Sequence, residues 1–351
     1  LRSIYQKYGY SQYKMSKFEE YDLYVKNKNF LVSDNIITFT DTNGKLMALK
    51  PDVTLSIIKN TEDNLKGVQK LYYNENVYRV SKGTLSYKEI MQVGLECIGD
   101  IDDYNISEVI FLACQSLNAI SEDYILDISH LGIISSVVNA LNLRKNEEKE
   151  IYKCISEKNI HGVEEICKKQ NCDCSTLKKI ISSYGTFADI SELLNSLNCK
   201  EEVAQLKNII SALENQGLKN KIRIDFSVTS DTNYYNGFVF KGFINGISSA
   251  VLTGGQYDNL MNKMKKSSKA IGFAVYLDLL ERLNSQIKNY DVDCVILYNE
   301  NTDITSVNDT AKKIVSEGKI VSVQKTIPGN IRYKQLIKID SKGVQTIEYN
   351  A

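Results

Sequence analysis

Apolar and polar positions along this chain repeat with two different periods, and the switches between them divide it. The first 130 residues are mixed α/β in pattern. Ordered sequence opens at 9–24. Residues 35–49 are predicted as a hairpin turning at Asp41-Thr42-Asn43-Gly44, with Asn-Gly as the strongest signal. Residues 71–80 and 88–98 read as two strands. Residues 107–120 read as a helix, with Val109, Ile110, Ala113 and Leu117 at helical spacing, and 124–128 as a short strand.

The period then changes. Over 132–217 apolar residues recur every three or four positions, as in Ile151, Cys154, Ile155 and later Val203, Leu206, Ile209, Ile210, Leu213. This predicts a helical segment closed by Gly217 at a C-cap position. Strand-rich sequence flanks it, so it reads as an insertion. Ile222, Ile224, Phe226 and Val228 resume strict alternation. Strands are predicted at 238–243 and 247–252, and a helix or strand–helix unit at 270–284. The last stretch, 291–351, reads as a strand (292–298), a helix (305–317), a strand (320–323) and a hairpin (336–339 with 344–349). The predicted organisation is a core over 1–286, containing the helical insertion 132–217, and a small α/β unit over 287–351.

Composition narrows this only a little. Of 351 residues, 43% are hydrophobic and 25% charged, the balance of a globular protein. No run reaches the roughly 18 apolar residues of a membrane span. The chain opens on Leu1 rather than Met, so its true N-terminus is expected upstream. Lys and Arg total 43, as do Asp and Glu. That balance argues against gripping RNA over a wide surface, which calls for a basic excess. Eight Cys include the cluster Cys167, Cys172 and Cys174. Their spacing is not that of a paired zinc motif, and only His130 and His161 exist to complete a metal site. Free thiols in a reducing cytoplasm are the expectation.

Three polar clusters carry candidate chemistry. In Lys50-Pro51-Asp52-Val53-Thr54, Pro51 biases its neighbour to an extended shape. If the chain stays extended, Asp52 and Thr54 face one way and suit an ammonium group; taken alone, a Pro-Asp step is a turn or a helix cap. In the second cluster, 89–98, Met91, Val93, Leu95 and Cys97 share one strand face and Gln92, Gly94 and Glu96 the other. Gly94 weakens a strand, and a ligand lying over it is one physical reason for its presence. Gln92 and Glu96 would stand about 13 Å apart, the span of a small zwitterion with its contacts. A merely solvated strand face is the alternative. The third cluster joins Asn233-Tyr234-Tyr235-Asn236-Gly237 to Thr253-Gly254-Gly255-Gln256-Tyr257-Asp258. Paired tyrosines offer one ring to the core and one hydroxyl to a pocket. The Gly-Gly step permits close backbone approach, or is only a hairpin turn.

In this order the clusters resemble the catalytic core of histidyl-tRNA synthetases, over about residues 8–283 outside the insertion. The family's Arg-Pro-Glu/Asp-x-Thr stands here as 50–54, and its Phe-Arg as Tyr78-Arg79. Its Gln-x-Gly-x-Glu stands as 92–96, and its Tyr-Tyr-Thr-Gly stretch begins at Tyr234. Its Gly-Gly-Arg-Tyr-Asp is 254–258, and its Gly-Phe-Ala is Gly272-Phe273-Ala274. The resemblance implies an α+β fold of the class II aminoacyl-tRNA synthetase type, an antiparallel sheet flanked by helices. It makes 291–351 a trimmed counterpart of an anticodon-binding domain. That unit has about 60 residues, against about 90 for a compact α/β module.

The departures bear on function. Where the synthetases carry an Arg that assists amino-acid activation, this chain has Ser230, beside Asp231. Where their third motif ends Gly-Leu-Glu-Arg, this chain has Tyr276, Leu277, Asp278 and Leu279. Gln256 replaces another Arg, and Ser16 stands at the Pro of the first motif. Adenylate formation needs cations on the triphosphate and the developing charge, and losing one costs orders of magnitude in rate. The amino-acid side is retained. That combination resembles the regulatory subunits of ATP phosphoribosyltransferase. The resemblance implies a non-catalytic, cytoplasmic chain with no cofactor and no metal. It implies a homodimer within a hetero-oligomer that includes the short-form catalytic subunit, histidine as ligand, and no tRNA or membrane partner. On the same basis Asp52 and Glu96 would meet the ligand's ammonium or imidazole. Thr54 and Gln92 would position it, Tyr234 or Tyr235 would close the pocket, and Arg79 would meet the carboxylate or persist from an ancestral ATP site. The competing reading is an active histidyl-tRNA synthetase, opposed by Ser230, Tyr276 and Leu279. A partner with a pocket that binds nothing is a third.

Overall fold

The computed structural model describes residues 1–27, 36–63, 67–80, 86–229, 234–282, 290–327, 329–340 and 343–349. They fall into two compact units, Leu1–Leu283 and Asn284–Ala351.

The larger unit opens with α1 (Arg2–Lys7), β1 (Ser11–Gln12), β2 (Phe18–Glu20) and α2 (Tyr21–Lys26). The hairpin β3 (Thr38–Thr40) and β4 (Leu46–Leu49) turns where expected. Asp41 Oδ1 accepts from the amides of Asn43 and Lys45, and Gly44 takes φ +78°. Strands β2, β4 and β3 make a small antiparallel sheet. After α3 (Thr54–Asn60) come the two longest strands, β5 (Val68–Val80) and β6 (Tyr87–Gly99), paired antiparallel along their whole length. Helix α4 (Asp103–Asn118) starts at a capping box between Asp102 and Asn105, and β7 (Tyr124–His130) follows.

The predicted helical segment is six helices: α5 (Leu131–Asn139), α6 (Lys145–Ser156), α7 (Ile160–Gln170), α8 (Ser175–Ser182), α9 (Phe187–Asn195) and α10 (Lys200–Leu213). Gly217 ends it at φ +85°. One two-residue strand, β8 (Tyr184–Gly185), interrupts it. Then come β9 (Ile222–Asp225), β10 (Phe238–Ile244), β11 (Leu252–Gln256), α11 (Asp258–Lys263) and β12 (Lys269–Tyr276), the last running into a short 3₁₀ turn, Leu277–Arg282.

These strands form one nine-stranded sheet in the order β1-β5-β6-β12-β11-β10-β7-β9-β8. Its pairings are antiparallel, as expected, except β1 with β5 and β7 with β9. The strand predicted at 247–252 begins only at Leu252, and the Gly-Gly step lies inside β11 rather than at a turn. The alternation over 222–228 stops being strand after Asp225. One face of the sheet, with Leu95, Phe240 and Phe273, packs under α4 and the helices 131–213 in a single large core. The other face carries Leu71, Tyr73 and Ile98 into a second core with α3 and α11. The insertion therefore shares its core with the sheet.

The smaller unit is β13 (Val292–Tyr298), α12 (Ile304–Ser316), β14 (Val321–Gln324), β15 (Tyr333–Asp340) and β16 (Gly343–Tyr349), a four-stranded sheet ordered β14-β13-β15-β16. Cys294, Ile296 and Ile337 pack against Val307 and Ile314 of α12. Among the described residues no helix is long and apolar enough to cross a membrane, and no group of three metal-ligating side chains forms a metal site. Cys167, Cys172 and Cys174 are free thiols, as are the other five cysteines.

Candidate functional site

The site lies on the sheet face that bears α3. Cross-strand register decides which side chains meet there. Glu96 stands between Leu71 and Gly272, Gly94 between Tyr73 and Ala274, and Gln92 between Glu75 and Tyr276. Partners in register share a face, so Gln92, Gly94 and Glu96 face the same way as Tyr73, Glu75 and Tyr276. The polar stripe is not solvated. Gln92 is 3% exposed and Glu96 2%.

Glu96 is the centre of the arrangement. Thr54 Oγ1 donates to its Oε1 at 2.8 Å and Tyr257 Oη to its Oε2 at 2.6 Å. Burial pushes its carboxyl up to about 8, and the Asp52 charge adds to this, while the two hydroxyl donors pull the other way. The room for this carboxylate is a missing side chain. A Cβ on Gly272 would stand 1.8 Å from Glu96 Oε2. Gly94 has a similar role for a different neighbour, since a Cβ there would stand 2.4 Å from the Tyr73 hydroxyl oxygen. The space over Gly94 is filled by the Tyr73 ring, which accounts for that glycine without a ligand.

Asp52 and Thr54 reach the site differently from the extended reading. Asp52 Oδ1 accepts from Leu55 N at 2.9 Å, and Thr54 is the first residue of α3. The Pro-Asp step is thus a helix cap that also aims Thr54 at Glu96. Burial raises the Asp52 carboxyl above its usual range, against the Leu55 amide and the Arg79 charge, which lower it. Arg79 Nε donates to the Pro51 carbonyl at 3.0 Å, tying β5 to this segment. Lys50, wholly buried, forms a close ion pair with Glu75.

A cage of aromatic rings closes the far side. Tyr234 lies 4.6 Å from Tyr235 and 5.8 Å from Tyr257 between ring centroids. The Tyr235 ring rests over Gly255, where a Cβ would approach it to 2.7 Å. Burial pushes the phenols of Tyr73, Tyr234, Tyr235 and Tyr257 well above their ordinary value, so all four stay neutral hydroxyls. The structure thus brings Asp52, Thr54, Arg79, Gln92, Glu96, Tyr234 and Tyr235 to one region. It adds Tyr257 and Tyr73, which had not been singled out as site residues.

The positions that depart from the synthetase pattern have other partners. Tyr276 Oη shares a hydrogen bond with Thr253 Oγ1 at 2.9 Å, on the site face beside Gln92. Leu279 packs against the large core. Gln256 Oε1 accepts from the Phe238 amide at 2.8 Å, and a Cβ on Gly237 would strike that oxygen. Ser16 is exposed and its hydroxyl accepts from Phe18 N at 3.1 Å. Ser230 and Asp231 lie outside the described residues.

The family model described as histidyl-tRNA synthetase matches residues 1–280. An ATP phosphoribosyltransferase regulatory subunit from Caldanaerobacter subterraneus subsp. tengcongensis is 30% identical over 288 residues, 79% of this chain and 75% of that protein. Another, from Thermoanaerobacter sp., is 28% identical over 339 residues, 92% of this chain and 87% of the relative. Among solved structures, an ATP phosphoribosyltransferase regulatory subunit/histidyl-tRNA synthetase from Bacillus halodurans C superposes with TM-score 0.74 at 24% identity, covering 96% of this chain and 91% of that one. A chain of the ATP phosphoribosyl transferase (HisG:HisZ) complex from Thermotoga maritima superposes with TM-score 0.64 at 20% identity, over 79% of this chain and 94% of its own.

Proposed function

The chain belongs to the histidyl-tRNA synthetase family, among its ATP phosphoribosyltransferase regulatory subunits, and from that premise we propose that it senses histidine for a separate short-form catalytic subunit. It works without chemistry of its own. The observation that carries the sensing role is the buried Glu96 carboxylate, gripped by Thr54 and Tyr257 while the neighbouring nucleotide-side positions hold Tyr276 and Leu279.

Histidine's ammonium or imidazole meets Asp52 and Glu96, and Glu96, which burial keeps largely protonated, gives up its proton to the ligand's charge. Thr54 and Gln92 position the ligand, and Tyr234 and Tyr235 cover it. Arg79, beside Asp52, faces the α-carboxylate. Regulation requires histidine to bind one quaternary state of a hetero-oligomer more tightly than another. The similarity to a chain of a HisG:HisZ complex supports a catalytic-subunit partner; a homodimeric state of this chain is part of the same proposal. The even charge balance gives no support for tRNA as a partner.

Two measurements test this reading. Isothermal titration of histidine into the chain, alone and co-purified with a short-form catalytic subunit, gives saturable heat that Glu96→Gln weakens. ATP phosphoribosyltransferase activity of the complex then falls with added histidine. Absence of heat at millimolar histidine in both preparations sinks the sensing role. Failure to co-purify sinks the partner.

A further inference from the structure

The cysteine cluster of the helical insertion sits on a backbone turn that sets two of its side chains against each other. Helix α7 ends in a left-handed residue, Asn171 at φ +52°, after which the chain folds back on the helix. Cys172 N donates to the Cys167 carbonyl at 3.0 Å, and Asn171 N to the Lys168 carbonyl at 3.4 Å. This nested pair of bonds is a Schellman cap, and such a cap brings the side chains of its first and sixth residues into contact. The usual occupants are two hydrophobic residues. Here both are cysteines.

The two thiols differ in access. Cys167 is 1% exposed, inside the large core. Cys172 is half-buried and packs against that core, as does Cys174 at the N-cap of α8. Burial pushes the Cys167 thiol up to about 12, and the thiols of Cys172 and Cys174 beside it push the same way. Cys172 can therefore meet a reagent from solvent, and Cys167 waits behind it. A disulfide needs Cα atoms about 4.4–6.8 Å apart with their Cβ atoms facing. The cap's long-range bond, from Cys172 N to the Cys167 carbonyl, holds the two backbones at that kind of approach.

We propose that Cys167 and Cys172 are a redox modification site, closing reversibly to an intrachain disulfide by exchange with a low-molecular-weight disulfide, RSSR. The Cys172 thiolate attacks one sulfur of RSSR, which forms a mixed disulfide and releases one RS⁻. The Cys167 thiolate then attacks the Cys172 sulfur, which forms the internal bond and releases the second RS⁻. Two protein thiols are oxidised, one RSSR is reduced, and the two thiol protons pass to the released thiolates. The bond ties the end of α7 to the turn before α8 and so locks the left-handed cap in place. The site is separate from Glu96 and does not depend on histidine sensing.

The test is incubation of the full, reduced chain with oxidised glutathione, read by thiol titration, intact mass and peptide mapping without reduction. Two of the eight free thiols are expected to be lost, with the mass lower by two hydrogen atoms, and dithiothreitol restores both. Cleavage after Lys168 and before Asp173 separates the three cysteines, and the map shows Cys167 joined to Cys172. Cys174→Ser leaves the closure unchanged, and Cys172→Ser prevents it. A glutathione adduct that persists on Cys172 without closure overturns the proposal. So does retention of all eight thiols, or a bond that joins Cys174 to either neighbour. Should a variant not fold, the map of the native chain still decides.

Discussion

Histidine binding is expected to release protons near neutral pH. The group responsible is Glu96. With its carboxyl pushed up to about 8 by burial, about nine-tenths of the unliganded chains carry the proton at pH 7. A ligand cation set against the carboxylate lowers its pKa by about 1–3 units. A fall of about two units leaves about one-tenth protonated in the complex, a net release of about 0.8 proton per histidine at pH 7. The release shrinks to about 0.1 at pH 5 and again at pH 9, where both states carry the same charge. Affinity therefore rises by about fivefold per pH unit between about 6 and 8 and levels off outside that window. Calorimetric titration at pH 7 in buffers of unequal ionisation enthalpy measures the proton count directly, and Glu96→Gln removes it. Binding whose heat is the same in every buffer at pH 7, or which takes protons up, refutes the assignment of the cation to Glu96.

Other substitutions probe the site's construction. Gly272→Ala places a Cβ on the Glu96 carboxylate; it costs about 1–3 kcal/mol in urea unfolding and abolishes histidine binding in the calorimeter. Lys50→Met leaves the half-buried Glu75 without its cation and lowers the unfolding free energy by about 1–3 kcal/mol, read from the urea midpoint. Tyr276→Gly opens the floor beside Gln92, but with Leu279 still packed in the core it yields no histidine-dependent pyrophosphate exchange. Measurable exchange in that variant would show that the nucleotide side is closed by the tyrosine alone.

The strands that build the site could be read from sequence because each side of β6 faces a different environment. Met91, Val93, Leu95 and Cys97 alternate with Gln92, Gly94 and Glu96 over a strand long enough for the period to show. What failed was set by tertiary partners. Of the two readings of 50–54, the helix cap holds and the extended one does not; the sequence could not choose between them, because the five buried residues from Thr54 to Ile58 follow no strand or helix stripe on their own. Tyr257 went unassigned because it lies 161 positions from the carboxylate it serves, and only the β6-β12-β11 register brings them together. The Gly-Gly step was read as either close approach or a turn, and the first holds, with Phe273 and Tyr235 pressing on it from neighbouring segments that the local sequence does not reveal. The two residues of β8 were too few to break a helical period.

The register of the large sheet has one more consequence. Glu96 shares a cross-strand row with Gly272, Gly255, Val239 and Ser129, and Asp127 lies two residues from the end of that row. Four inter-strand steps of about 4.8 Å separate the two carboxyls by about 20 Å. At that distance, with an effective dielectric of about 20 to 80, their interaction is about 0.2–0.8 kcal/mol, well under one pKa unit, so they titrate as nearly independent acids. Burial raises both, Glu96 to about 8 and Asp127 to about 6. The folded state holds each proton more tightly than the unfolded chain does, so each group's contribution to stability is full below its unfolded pKa and is lost as pH rises through the folded one. A plot of unfolding free energy against pH then descends most steeply between about pH 4.5 and 6, where both groups contribute, and more gently from there to about pH 8, where only Glu96 does. Each contribution is removed by its own amide variant and left by the other.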